Sequence, residues 1–458
     1  GISGYLAHVL QAKRIAKEFS SRGVLVVCGG PSVSVTPELW RPFSDVLIVG
    51  EAERIWPEFT SDYLAGNYKN EYVEKEKFDI SISPLPDYSN FSRPGITDTI
   101  GGTVQTSRGC PYKCEFCYVT VYLGRKMRYK QPDQVVREIA QMKKLGKSMT
   151  LLVDDNFSGN KQKAKDILRA IREWNRQQRR PMTFGTQLSI DTAKDEEFLE
   201  LAAEAGLTRV TIGIETPNVE SLKETGKLQN VGSNLLDEIK RIQQHGIMVI
   251  CSCTIGYDND DLSIFQKQFD FFMKAGVPNV KVHPLHAVYG TPLRDRMIKE
   301  GRYIDTYESM CKNPDEFNHL NSFSIIPKQI TLEQLEQGLY WLLWKLYDME
   351  NLTERVRQFF ETYENSPKKN KISIFKTKPS IKELGVVWRL FKHYMVDAPA
   401  SERKAMKQMF NYARKSSHPQ GLELVIGVFL SAKNIPEMLK KHNPQIAQVA
   451  YPEPVSKV

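Results

Sequence analysis

The sequence predicts an α/β chain in three parts: an incomplete Rossmann-like domain, a partial (β/α)6 barrel, and a mostly helical carboxyl-terminal domain. Three observations predict it. Apolar runs ending in glycine loops alternate with amphipathic stretches from residue 1 to about residue 65, as in layered α/β folds. After an interval holding Pro84, Pro86 and Pro94 the alternation resumes through six strand and helix units. Beyond about Tyr289 the pattern turns helical and aromatic.

Each element follows in order. The chain begins Gly-Ile-Ser-Gly rather than with Met and runs straight into the amphipathic pattern Tyr5, Leu6, Val9, Leu10, Ile15, Ala16, so the amino terminus is read as missing. The apolar run Val24 to Cys28 is a buried parallel strand emptying into Gly29-Gly30-Pro31-Ser32, and Val46 to Val49 empties into Gly50-Glu51-Ala52-Glu53. Both loops fall at the carboxyl ends of strands, where open α/β sheets bind ligands. Residues 1–70 are thus one domain, 71–100 a linker, 101–290 the barrel, 291–450 the helical domain and 451–458 an unstructured tail. Barrel strands are expected at Thr103 to Thr106, Met149 to Val153, Met182 to Gln187, Arg209 to Ile214, Met248 to Ile255 and Asn279 to Leu285, with helices at Pro132 to Leu145 and Lys161 to Gln178. In such barrels the active site lies at the carboxyl ends of the strands. The stripe Leu335, Leu339, Trp341, Leu342, Leu343, Trp344, Leu346, Tyr347 is more often helix core than a cofactor box.

At 458 residues with 41% hydrophobic composition the chain can bury two or three cores. It holds no apolar run long enough for a membrane span and nothing like a signal peptide, which points to a cytoplasmic protein. Seven cysteines, three of them clustered, suit a reducing compartment better than a disulfide framework. The net charge of +9 is concentrated between Pro367 and Ser416, where 13 Lys or Arg face 3 Asp or Glu. Such a stretch is most often a solvated helical face; mixed with Ile374, Phe375, Val386, Val387, Trp388, Leu390 and Phe391, it could also lie on an anionic membrane. No nucleic acid is expected as a partner.

The chemistry sits in Arg108-Gly109-Cys110-Pro111-Tyr112-Lys113-Cys114-Glu115-Phe116-Cys117-Tyr118, which places three thiols at C-x3-C-x2-C directly after a strand. Three thiolates hold three irons of a [4Fe-4S] cubane and leave the fourth iron open to a small molecule. A zinc site is the alternative, but zinc usually takes four ligands and no fourth Cys or His lies nearby. Cys251, Cys253 and Cys311 match no cluster spacing.

The pattern C-x3-C-x-aromatic-C at the end of a first barrel strand resembles the radical S-adenosylmethionine (SAM) superfamily. Asp154-Asp155-Asn156, Gln187 and Ser189, Gly213-Ile214-Glu215 and Cys253-Thr254-Ile255-Gly256, at the ends of the next four strands, fall where that superfamily contacts SAM. The resemblance implies that Phe116, with Tyr118 beside it, packs near adenine, that Glu215 meets a polar group of SAM, and that Ile255 flanks the adenine. The usual Gly-Gly-Glu after the second strand is replaced by Asp-Asp-Asn, which leaves the contact to the methionyl amine open. A polar residue at a strand end can also simply cap the following helix, as Asp154 or Asn156 would.

The loops Gly29, Gly30, Pro31, Ser32 and Gly50, Glu51, Glu53 resemble the last part of the cobalamin-binding domain of the B12-dependent radical SAM subfamily, although short glycine loops also serve tight turns. The segment from Tyr289-Gly290-Thr291-Pro292-Leu293 to Trp344 is similar to the helical domain of hopanoid-methylase-like members. The resemblance implies a methylase in which a 5′-deoxyadenosyl radical removes hydrogen from an unactivated carbon of a small-molecule or hopanoid-like lipid substrate. Methylcobalamin then supplies the methyl group, a second SAM remethylates the cobalt, and a flavodoxin or ferredoxin reduces the cluster. Rival readings are a cobalamin-dependent cyclase without net methyl transfer and a non-catalytic carrier.

Overall fold

The computed structural model describes residues 1–88, 101–305, 307, 311, 323–369, 372, 385, 388, 392, 396, 398–442 and 450–452. They fall into two compact units: Gly1–Ser83 with Gly109–Arg128 and Leu285–Ile326, and Pro84–Arg108 with Tyr129–Pro284 and Pro327–Val458.

The first unit is built on four parallel strands, β1 (Ile2–Ser3), β2 (Val27–Gly29), β3 (Val46–Val49) and β4 (Glu71–Val73), paired in that order. Both faces are covered, as the continuous apolar runs require. On one face the helix Val9–Ser20 packs Val9, Ala12 and Ala16 with Val33, Trp40 and Leu47. On the other the helix Ala52–Leu64 packs Ile55 and Phe59 with Val27, Val46, Ile48 and Tyr72. Strands β1 and β4 are additions to the expected pattern, and β4 lies inside the segment 71–100 expected as a linker. At two and three residues, neither is long enough to show a period of two. The rest of that linker from residue 89, with Pro94, lies outside the described residues.

The second unit holds six parallel strands, β5 (Gly102–Val104), β6 (Met149–Leu152), β7 (Thr183–Leu188), β8 (Leu207–Glu215), β9 (Met248–Ile255) and β10 (Asn279–Pro284). They pair in sequence order from β5 to β10, so the sheet is the open, partial barrel the sequence predicts. Along β8 the side chains alternate: Val210, Ile212 and Ile214 are buried, while Arg209, Thr211 and Gly213 keep some exposure. Gly213 pairs with Ser252, which pairs with Lys281, giving the sheet one polar face and one face packed under helices.

Helices Leu332–Tyr347 and Met349–Glu364 are welded to β10. The Tyr347 hydroxyl donates to the Val280 carbonyl at 2.7 Å and accepts from its amide at 3.2 Å, while the buried Arg355 donates to Val277 O at 2.7 Å. The stripe Leu335 to Tyr347 is therefore core, with Leu339, Leu342 and Leu346 fully buried. By compactness Leu285–Ile326 falls with the first unit rather than with the helices that follow it. The tail 451–458 is anchored at its start: Tyr451 packs edge-on against Trp341 at 4.9 Å, and residues 453–458 lie outside the described set. Of the apolar residues expected in the basic stretch, Trp388 is described and is 63% exposed, while Ile374, Phe375, Val386, Val387, Leu390 and Phe391 lie outside the described residues. Among the described residues no helix is long and apolar enough to cross a membrane.

Candidate active site

In the first unit the cysteine loop opens at Gly109, whose φ of +94° is open to glycine and strained for other residues; a Cβ there would sit 2.8 Å from Lys126 O and 3.1 Å from Gly124 O. The Cys110 amide donates to Gly124 O at 3.3 Å and the Cys117 amide to Cys114 O at 3.0 Å, folding the thiols back toward one another before the short helix Val119–Tyr122. None of Cys110, Cys114 and Cys117 is in a disulfide. Burial pushes the Cys117 thiol up to about 11, and charge on Cys114 and on Cys110 pushes it the same way, so the three sulfurs share one neighbourhood. Among the described residues no three His, Cys, Asp or Glu side chains could hold a single metal ion. Phe116 is half-buried, and the Tyr118 ring lies 4.7 Å from that of Tyr122.

Three staples that sequence reasoning missed hold this loop. Arg128 donates from Nη1 to Glu51 Oε2 at 2.7 Å and from Nη2 to Glu51 Oε1 at 2.5 Å, with further bonds to Phe78 O and Leu123 O. Lys77 Nζ donates to Tyr122 O at 2.6 Å and to Glu74 at 2.8 Å. Arg296 holds the Glu115 carboxylate at 2.7 and 3.1 Å, and the Leu293 amide donates to Glu115 O. Contacts separated by 77 and 181 residues leave no local pattern to find.

The loops expected to meet cobalamin lie at the carboxyl edge of the four-stranded sheet, but several of their residues serve the protein itself. Glu51 is spent on Arg128. The Ser32 hydroxyl accepts from Trp40 Nε1 at 3.0 Å and bonds Thr36, and Pro31 opens the short helix Pro31–Val35. Gly29 ends β2. Gly30 and Gly50 adopt φ of +95° and +108°, and a Cβ on them would lie 2.3 Å from Ser3 Oγ and 2.4 Å from Glu74 Cβ. Their lack of side chain is thus required by turn geometry and packing, whatever else they approach. Glu53 is half-buried in the first turn of its helix.

In the second unit the strand ends carry the remaining candidates. Asp154 caps no helix. It is fully buried and accepts from Thr106 N at 2.7 Å, Ser107 N at 2.9 Å and the Thr106 hydroxyl, tying the end of β6 to the chain after β5. Burial pushes its carboxyl up to about 6 despite these donors. Burial also pushes the half-buried Asp155 up to about 6. Asn156 Nδ2 donates to Ser189 Oγ at 2.9 Å and its Oδ1 accepts from Ser158, joining the ends of β6 and β7; the cap of the following helix is Asn160. Gln187 is exposed and Ile255 fully buried. Cys251 and Cys253 are ordinary buried thiols, pushed up by desolvation.

Glu215 is buried, and its carboxylate accepts from Lys227 Nζ at 2.8 Å and from Thr254 Oγ1 at 3.0 Å. Lys227, Asn230 and Asp260 had no periodic signal to mark them. Asp260 accepts from the amides of Gly256 and Tyr257 and from Ser221 Oγ, each at 3.0 Å, closing the turn after β9; burial pushes it up to about 7.

Comparison with known proteins adds to this geometry. Residues 104–284 match the radical SAM superfamily and residues 291–448 match a domain of unknown function, DUF4070. The chain is 31% identical over 361 residues to an uncharacterized methyltransferase of Synechocystis sp., covering 78% of this chain and 66% of that protein. It is 30% identical over 308 residues to the hopanoid C-2 methylase of Rhodopseudomonas palustris, covering 66% and 58%. The chain thus spans about two thirds or less of these relatives. In fold it is similar to OxsB, a cobalamin-dependent SAM radical enzyme, with a TM-score of 0.58 and 14% identity over 98% of this chain and 75% of that one. It is also similar to TsrM, a radical SAM methyltransferase from Kitasatospora setae, with a TM-score of 0.54 and 18% identity over 64% and 63%.

Proposed function

Residues 104–284 of this chain are a radical SAM superfamily domain, and on that premise we propose that the protein is a cobalamin-dependent radical SAM C-methyltransferase acting on an unactivated carbon of a small molecule. The observation that carries the reading is the loop that brings three thiols, none in a disulfide, into one neighbourhood, a set that would leave one iron of a cubane open to SAM. Similarity to the hopanoid methylase, and to bacteriochlorophyllide d methyltransferases of Chlorobaculum tepidum at 28% and 24% identity, favours methyl transfer over cyclisation.

When bound, the cluster supplies an electron to SAM and cobalamin supplies a methyl group. The chain's own residues hold and orient. Cys110, Cys114 and Cys117 would ligate the cluster, and Arg128, Lys77 and Arg296 hold their loop still. Glu215 would meet a polar group of SAM and Asp155 is the carboxylate open to the methionyl amine, whereas Ile255, expected to flank the adenine, is fully buried. Residues 29–32 and 50–53 would hold cobalamin, through backbone more than through Ser32 or Glu51, whose side chains are engaged. A hopanoid-like lipid substrate is supported by the methylase similarity. The exposed Trp388 and Val396 within the basic stretch support peripheral contact with an anionic membrane. A flavodoxin or ferredoxin is the proposed reductant.

The test is product analysis with methyl-labelled SAM, reconstituted reduced enzyme and candidate lipids. Label in the product together with 5′-deoxyadenosine is expected. SAM cleavage without label transfer would favour the cyclase, and iron-loaded protein that forms no 5′-deoxyadenosine would refute the enzyme.

A further inference from the structure

The end of β8 is strained in a way that needs support. Glu215 has φ +65°, the one non-glycine residue in the left-handed region among the described residues, and the pairing of β8 with β9 slips between Gly213 and Glu215. A buried, non-glycine residue with positive φ persists where its surroundings over-determine it, and such sites cluster where a side chain must be aimed.

The support comes from the loop after the helix Val219–Glu224. Asn230 is buried, and its Nδ2 donates to Gly213 O and to Ile214 O, both at 3.0 Å, at the point where the pairing slips. Lys227 Nζ pairs with Glu215 Oε1 at 2.8 Å, with side-chain exposures of 14% and 8%. Gln268 donates to Glu215 O at 3.0 Å and Thr254 to Glu215 Oε2 at 3.0 Å, so backbone and carboxylate are gripped from three elements. Gly213 completes the fit: a Cβ there would lie 2.4 Å from Glu215 Oε1 and 2.9 Å from Lys227 Nζ.

We infer that Lys227 and Asn230 are positioning residues that hold Glu215 in its left-handed conformation so that its carboxylate is aimed for SAM. The inference rests on the reading of Glu215 as a SAM contact. Neither residue touches SAM in it; Lys227 sets the direction of the carboxylate and Asn230 the backbone that carries it.

The experiment measures binding of labelled SAM to the reconstituted full chain by equilibrium dialysis, with iron content and thermal midpoint read on the same samples. Lys227→Met and Asn230→Ala should each weaken SAM binding about tenfold or more while retaining iron, with Lys227→Arg between them and wild type. The double variant Glu215→Gln/Lys227→Met removes the unpaired buried charge, so its midpoint should recover toward wild type while SAM affinity stays low. If Lys227→Met does not fold, Asn230→Ala and the double variant decide. Wild-type affinity in either single variant, or a double variant that regains affinity along with its midpoint, overturns the positioning role. Iron-loaded wild type that does not bind SAM overturns the functional reading itself, and this inference with it.

Discussion

Arg128, at the end of the cysteine loop, grips the carboxylate of Glu51, at the end of β3, through both of its terminal nitrogens, with side-chain exposures of 9% and 7%. The pair fastens the loop that carries the thiols to the edge of the four-stranded sheet. A buried pair of this kind costs most when one partner is removed, because the other is left as an uncompensated buried charge. Arg128→Met should therefore destabilise the protein by about 3–5 kcal/mol, and Arg128→Met/Glu51→Leu should recover most of the loss. Denaturant unfolding of the single and double variants checks this, and equal losses in both would contradict it.

Replacing Cys110, Cys114 or Cys117 by Ala should remove cluster absorbance and 5′-deoxyadenosine formation together, since a cubane short of one of three thiolates is not retained. Cys311→Ala, at an exposed position, should leave both intact. A Cys114→Ala protein that cleaved SAM at the normal rate would end the cluster assignment.

Gly50 and Gly66 both have positive φ, but a Cβ on Gly50 would strike Glu74 at 2.4 Å while one on Gly66 meets nothing within 4 Å. Gly66→Ala should cost about 1–2 kcal/mol, the price of the left-handed conformation alone. Gly50→Ala should cost more and disturb Glu74, which accepts from Glu51 N and Lys77. Thermal unfolding of the two variants gives the order, and an equal shift would show that the collision relaxes freely.

His418 is fully enclosed, with Nδ1 accepting from the Gln420 amide at 3.2 Å and Nε2 facing Gly246 O at 2.9 Å, an arrangement that suits the neutral ring. Burial pulls its pKa down to about 4. The unfolded chain, with a histidine near 6.5, takes up the proton first, so stability falls as pH drops from 6.5 toward 4. Between pH 7 and pH 5 this one group should remove about 2 kcal/mol, and His418→Gln should flatten that part of the profile. Asp154 and Asp260, raised to about 6 and 7, act in the opposite sense: burial favours their protonated forms, and their contribution is lost as pH rises through those values. Comparing wild type with His418→Gln at each pH isolates the histidine, and parallel curves would show that it does not titrate differently on folding.

Much of the fold was legible because the barrel strands are long, buried runs. Met248–Ile255 falls where its apolar pattern ends, and the other five barrel strands lie within two residues of expectation. The two-residue β1 and three-residue β4 were not legible, since strands so short carry no alternation and exist only through pairing with β2 and β3. Of the site, residue types and their places at strand ends were legible and partners were not. Asp154 was expected to contact SAM or to cap a helix; it caps none, and its bonds to Thr106 and Ser107 had no signal in the sequence.

The sequence by itself determined the chemistry available: three thiols at one spacing, and a parallel α/β order that collects polar residues at the carboxyl ends of strands. Tertiary structure alone decided what each side chain is free to do. Ser32 and Glu51 look available in the sequence, yet folding commits them to Trp40 and Arg128. Glu215 stands in the sequence as one carboxylate among many, and only the slip of β8 against β9, with Asn230 and Lys227 beneath it, gives that carboxylate a direction. The physical reason is range. A motif is set by neighbours along the chain, whereas a buried polar group must find its hydrogen-bond partners wherever the fold brings them, and those partners arrive from 8 to 181 residues away.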